Sequence, residues 1–214
     1  MTYLEYKKKI EFGKYEYSQI SKYCKEIGID WTVSVWDLDS VDFMKQFLNE
    51  IPFIKIPSAL ITDSKLLEAV NKLNIPIVIS NGMSTFGEMI FPLMNFKNIK
   101  TILHCNSSYP CNPDELDLNV IHTLKEQFKN IQIGYSGHEI GYFPTLLATA
   151  IGAEVIERHF TLDNNMEGTD QKASLEPKDF ANMVKEIYKV KKILGNYFPI
   201  VYPSEEIIKN KLRK

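Results

Sequence analysis

Short apolar segments recur along the chain at Trp31–Trp36, Phe53–Ile56, Pro76–Ile79, Thr101–Leu103, Ile131–Ile133 and Glu154–Ile156. Each is brief, β-branched or aromatic, and apolar on both faces, the pattern of a strand buried in a parallel sheet. Between them the apolar positions change to three- and four-residue steps, which predicts helices. Asp63–Leu73 puts Leu66, Leu67, Val70 and Leu73 on one face. Asn112 caps and Pro113 opens a helix carrying Leu118, Ile121, Leu124 and Phe128. Pro144–Ile151 reads as a short helix. Pro177–Leu194 is the clearest, with Phe180, Met183, Val184, Ile187, Val190, Ile193 and Leu194 in phase and Gly195 as its stop. A helix over about Glu16–Ile27 precedes the series, and a basic tail, Asn196–Lys214, follows it.

Strand starts lie roughly 22 to 30 residues apart, the spacing of βα units. About six such units are expected, with no polar linker between them. Strict alternation allows a doubly wound sheet or a (β/α)-barrel. No GxGxxG follows any strand, so the barrel is favoured over a dinucleotide-binding fold.

Composition narrows the function classes. The 214 residues carry 25 Lys+Arg against 27 Asp+Glu, a formal net charge of −2. That balance offers no electrostatic footprint for nucleic acid. No apolar run reaches the ~18 residues of a membrane span, and the N-terminus lacks the apolar stretch of a signal peptide, so a cytoplasmic location is expected. Cys24, Cys105 and Cys111 form no CxxC pair, which fits reduced, packed thiols.

In a barrel, function gathers where strands exit toward their helices. Here nearly every exit is polar: Ser34 and Asp37; Lys55 and Ser58; Ser80 and Asn81; His104, Asn106, Ser107 and Ser108; Ser136 and His138; Glu157 and His159. His138 and His159 end neighbouring strands, where neutral imidazoles bind one divalent metal and leave positions open; the alternative is that each hydrogen-bonds a carbonyl. Ser58, Ser80, Ser107 and Ser136 are candidate donors to phosphate oxygens, with Lys55 as the cation, although any one serine also suits a turn. Asp170, in the long polar loop Asp163–Ser174, is a candidate substrate ligand or a solvated carboxylate. His104 and Cys105 read as packing residues.

KIPSA (Lys55–Ala59), ISNGMS (Ile79–Ser84), LHCNSSYP (Leu103–Pro110), IGYSGH (Ile133–His138), IERHFTLD (Ile156–Asp163) and GTDQKASLEP (Gly168–Pro177) closely resemble the N-acetylneuraminate (sialic acid) synthase family. The match runs in order over nearly the whole chain. The resemblance implies a (β/α)8 TIM-type barrel that condenses phosphoenolpyruvate with an N-acetylated amino sugar such as N-acetylmannosamine, using Mn2+ or Mg2+. It implies His138 and His159 as metal ligands and Lys55, Ser58, Ser80 and Ser136 as phosphoenolpyruvate contacts. Ser107 joins these as a substrate contact, and Tyr109 and Asp170 lie near the sugar or the metal.

The alignment also departs from the family. The first residues match the region after the second barrel strand, so an incomplete barrel is expected. Two βα units, a catalytic glutamate and a phosphate-binding lysine would be missing from it. A carboxylate that follows the KIGSGE-type motif is replaced, since Ala59 and Leu60 follow Ser58. Residues 1–195 thus read as a partial barrel domain and 196–214 as a basic tail. Open edges lead to an expected homo-oligomer. Two other readings stand beside the synthase: an inactive remnant, and another metal-dependent barrel lyase or aldolase.

Overall fold

The computed structural model describes residues 3–213. Met1, Thr2 and Lys214, the outer ends of the two expected segments, lie outside the described residues. Helices α1 (Tyr3–Ile10), α2 (Lys14–Ile27) and α3 (Leu38–Met44) lead into an alternating series. It runs β1 (Ile54–Ile56), α4 (Ser64–Asn71), β2 (Ile77–Ser80), α5 (Phe86–Asn95), β3 (Ile99–His104) and α6 (Val120–Gln127). It continues with β4 (Gln132–Gly137), α7 (Phe143–Ala150), β5 (Val155–Arg158), α8 (Pro177–Leu194) and α9 (Pro203–Leu212). Among the described residues no helix is long and apolar enough to cross a membrane.

The five strands are all parallel and adjacent in chain order, β1-β2-β3-β4-β5. A doubly wound sheet reverses its strand order at a switch point; this one never does. Crossovers of one hand then stack α4, α5, α6 and α7 on the same face, and the sheet curls into a half-barrel. Ile54, Ile56, Ile77, Ile79 and Ile102 are fully buried against Leu66, Leu67, Val70, Ile121 and Leu124 of the helices.

Local chemistry sets the element ends. The Asp63 carboxylate accepts from the Lys65 and Leu66 amides, both at 3.0 Å, and starts α4. Thr85 and Glu88 form a reciprocal capping box at the start of α5. An aromatic cluster holds α2, which buries none of its residues fully: Tyr17 lies 5.9 Å from Trp31 and 5.5 Å from Phe43, ring centroid to centroid.

The structure corrects several expectations. Trp31–Trp36 is not a full strand: Ser34 makes one parallel bridge to Lys55, flanked by Lys55 N–H to Val33 O and Val35 N–H to Lys55 O. The expected helix from Pro113 to Phe128 is split. Pro113–Glu115 forms a 3-10 turn, Asp117 turns to a φ of +44°, and α6 begins at Val120. The segment at Glu154–Ile156 is half-exposed rather than buried, because β5 is the last strand of the sheet. The tail carries an exposed helix, α9.

Candidate functional site

Parallel strands in one sheet deliver their C-terminal ends to one side, and that side holds a cavity of about 530 Å3. Lys55, Ser58, Ser80, Ser107, Tyr109, Ser136, His138, His159 and Asp170 all line it. No residue singled out as a ligand or substrate contact lies elsewhere. His104 instead packs at the end of β3, its Nε2–H donating to the Leu116 carbonyl at 2.7 Å. Cys105 is buried and touches Ser58 Oγ at 3.2 Å.

Strand register explains the histidine pair. Ser136 pairs with Glu157 and Gly137 with Arg158, so His138 and His159 leave the sheet one step further on, side by side. Their rings lie 5.2 Å apart, centroid to centroid. The Asn106 carbonyl accepts from His138 Nδ1–H, which leaves the Nε2 lone pair facing the Tyr109 hydroxyl at 3.1 Å. Burial pushes His138 down to about 4, against the opposing pull of the Asn106 carbonyl. Burial lowers His159 as well, opposed by Asp170, whose Oδ2 lies 3.7 Å from His159 Nδ1. Both rings are therefore neutral near pH 7. Burial raises the Tyr109 hydroxyl, so it remains a donor.

Neutral imidazoles, one oriented from behind by a carbonyl and the other beside a carboxylate, are a donor set that suits a divalent metal. Among the described residues no group of three or more His, Cys, Asp or Glu side chains converges as a metal cage. Further positions on a metal at the pair would fall to substrate and water.

Beside the imidazoles, with Ser136 Oγ 3.3 Å from His138 Nε2, a second group is built around Lys55. Its ammonium donates to both oxygens of Glu157 at 2.8 Å, and Ser136 Oγ donates to Glu157 Oε1 at 2.7 Å. Burial acts to raise Glu157, but Lys55 and Ser136 outweigh it and hold the carboxyl below its ordinary value. Ser58 Oγ accepts from the Gly82 amide at 3.1 Å. A Cβ on Gly82 would stand 2.1 Å from Ser107 Oγ and 2.9 Å from Ser58 Oγ, so only glycine lets these hydroxyls approach the turn. Ser80 Oγ is buried with no hydrogen-bond partner.

Glu157 is the residue that sequence reasoning left out of the candidate set. It was visible as a polar strand exit, but its bond to Lys55 joins positions 102 residues apart. Only the fold brings them together.

A family model described as the NeuB family matches residues 1–198. The chain is 39% identical to N-acetylneuraminate-9-phosphate synthase of Drosophila melanogaster over 97% of its own length and 55% of that protein. It is 36% identical to N,N'-diacetyllegionaminic acid synthase of Campylobacter jejuni, over 99% of this chain and 64% of that one. The chain thus spans less than two thirds of either relative. Among solved structures, N-acetylneuraminic acid synthetase of Leptospira borgpetersenii, in complex with citrate, superposes with a TM-score of 0.86 at 33% identity, covering 95% of this chain and 73% of that one.

Proposed function

The chain belongs to the NeuB family, and from that premise we propose that it supplies the phosphoenolpyruvate and metal sites of a nonulosonic acid synthase. Such an enzyme condenses phosphoenolpyruvate with an N-acetylated amino sugar, N-acetylmannosamine or a close analogue, and releases phosphate. One observation carries the reading: a buried lysine, the hydroxyls of Ser58, Ser80, Ser107 and Ser136 and two neutral imidazoles line a single cavity.

Each group has a physical task. Lys55 neutralises the phosphate as substrate and as leaving group, and Ser58, Ser80, Ser107 and Ser136 supply hydrogen bonds to its oxygens. Ser80 is suited to this because its buried hydroxyl otherwise bonds nothing. Tyr109 and Asp170 hold the sugar beside the imidazoles. His138 and His159 would hold Mn2+ or Mg2+, which when bound supplies Lewis acidity at the acceptor carbonyl. The reading includes a cytoplasmic location and a homo-oligomer.

The test is release of inorganic phosphate from phosphoenolpyruvate by this chain. Release is expected to require both N-acetylmannosamine and Mn2+, and Lys55→Ala is expected to raise KM for phosphoenolpyruvate more than it changes the apparent affinity for the sugar. Release without the sugar would favour a lyase or aldolase. Failure to bind phosphoenolpyruvate would overturn the assignment.

A further inference from the structure

Behind the two imidazoles lies a charged pair that the chemistry above does not use. Arg158 and Glu139 have fully buried side chains, with Nη1 donating to Oε1 at 2.7 Å. Glu139 directly follows His138, and Arg158 directly precedes His159. Arg158 Nη2 also donates to the Glu139 carbonyl at 2.8 Å and to the Ala173 carbonyl at 3.2 Å. The Ala173 amide in turn donates to the Asp170 carbonyl at 3.0 Å, so the same guanidinium reaches the loop that carries Asp170. Thr145 Oγ1 accepts from Arg158 Nη1 at 3.0 Å and donates to Glu139 Oε1 at 3.2 Å. Tyr135 closes the set, its hydroxyl donating to Glu139 Oε2 at 2.8 Å.

A buried ion pair is weak evidence for stability, since apolar residues of similar volume often do as well. An arginine–carboxylate pair is, however, well suited to fixing geometry. The planar fork of arginine meets a carboxylate and backbone carbonyls at once, which an ammonium on a flexible stem does not reproduce. The backbone beside it is shaped to match: a Cβ on Gly137 would stand 2.7 Å from Glu139 Oε2 and 3.0 Å from Arg158 Cδ. Three segments, the exits of β4 and β5 and the loop at Asp170, are therefore tied at one point.

We propose that the Glu139–Arg158 pair is a positioning clamp that sets the spacing of His138 and His159 and, through it, the affinity of the cavity for a divalent cation. The inference rests on the reading of these histidines as metal ligands, and the experiment separates the two. Mn2+ is titrated into the full chain and followed by electron paramagnetic resonance well below the melting temperature, with thermal midpoints recorded without metal. Arg158→Lys is expected to weaken Mn2+ binding by about tenfold and to alter the bound-ion spectrum, the scale seen when outer-shell partners of a metal site are lost. Thr145→Val is expected to weaken it in the same direction, and Thr145→Ser, which keeps the hydroxyl, to restore it. This pair also decides the matter if Arg158→Lys does not fold. Lowered melting points with wild-type Mn2+ affinity and spectrum in Arg158→Lys and Thr145→Val would reduce the clamp to a strut and overturn the proposal. Absence of saturable binding to the parent chain, or unchanged binding after His138→Ala and His159→Ala, would overturn the ligand reading and the clamp with it.

Discussion

Ser80 and His104 are both buried polar residues with an unpartnered atom, yet they call for opposite expectations. The Ser80 hydroxyl lines the cavity, so its desolvation is compensated only when a ligand arrives. Ser80→Ala is expected to leave the thermal midpoint unchanged or slightly raised while weakening phosphoenolpyruvate about 10- to 100-fold, the worth of one hydrogen bond to a charged group. Calorimetric titration beside a melting curve checks both halves, and unchanged affinity would remove Ser80 from the site. His104 instead bonds within the fold, its Nε2–H donating to the Leu116 carbonyl. Burial lowers its pKa from 6.5, although the Leu116 carbonyl and Asp117 work the other way. Below pH 6.5 the unfolded chain takes up a proton that the folded ring resists, so stability falls as pH falls through this window. His138 and His159 act in the same sense. His104→Gln is expected to flatten the dependence of the melting temperature on pH between 7 and about 5; an equally steep profile would exclude His104 as a contributor.

At the scale of elements, α5 carries Pro92 inside it and therefore leans on its N-terminal cap. The Thr85 amide donates to Glu88 Oε2 at 2.8 Å, and the Glu88 amide to Thr85 Oγ1 at 3.4 Å. Thr85→Ala is expected to lose about 1 kcal/mol, with faster hydrogen exchange concentrated in the first turns of α5. Uniform loss of protection across the sheet would contradict a local role. Sequence patterning located the five strands to within a few residues and predicted α8 as Pro177–Leu194, because those segments obey one period throughout. It missed α5, where Gly87 and Pro92 interrupt the helical signal. It overran α6, because apolar spacing does not report the left-handed backbone of Asp117. It read Trp31–Trp36 as a strand since its residues are strand formers, whereas only Ser34 pairs, in a single bridge to Lys55. The candidate ligands were legible because parallel strands expose their exits on one side. The bonds of Lys55 to Glu157 and of Arg158 to Glu139 were not, since each pairs positions on different strands or their exits.

For the whole molecule, a singly wound half-barrel leaves strand and helix surfaces without cover. Tyr197, Phe198, Ile207 and Ile208 are each more than half exposed, as are Ile193 and Leu194 at the end of α8. Apolar surface of this kind drives association, so light scattering is expected to show a mass that rises with concentration above that of one chain. A constant monomer mass over a hundredfold dilution series would refute this. The bidentate bond between Lys55 and Glu157 has a different kind of consequence. The cavity already contains its own anion, so on the proposed reading an arriving phosphate would exchange with a resident carboxylate rather than fill a vacancy. Once Lys55 turns to the ligand, the largest influence opposing burial at Glu157 is removed, leaving Ser136 and His159 to lower it, and its proton affinity is expected to rise. Ligand uptake is therefore expected to be coupled to proton uptake from the solvent, and the heat of phosphoenolpyruvate binding should vary with the ionisation enthalpy of the buffer. Equal heats in phosphate-free buffers of high and low ionisation enthalpy would show that Glu157 keeps its charge when the exchange takes place.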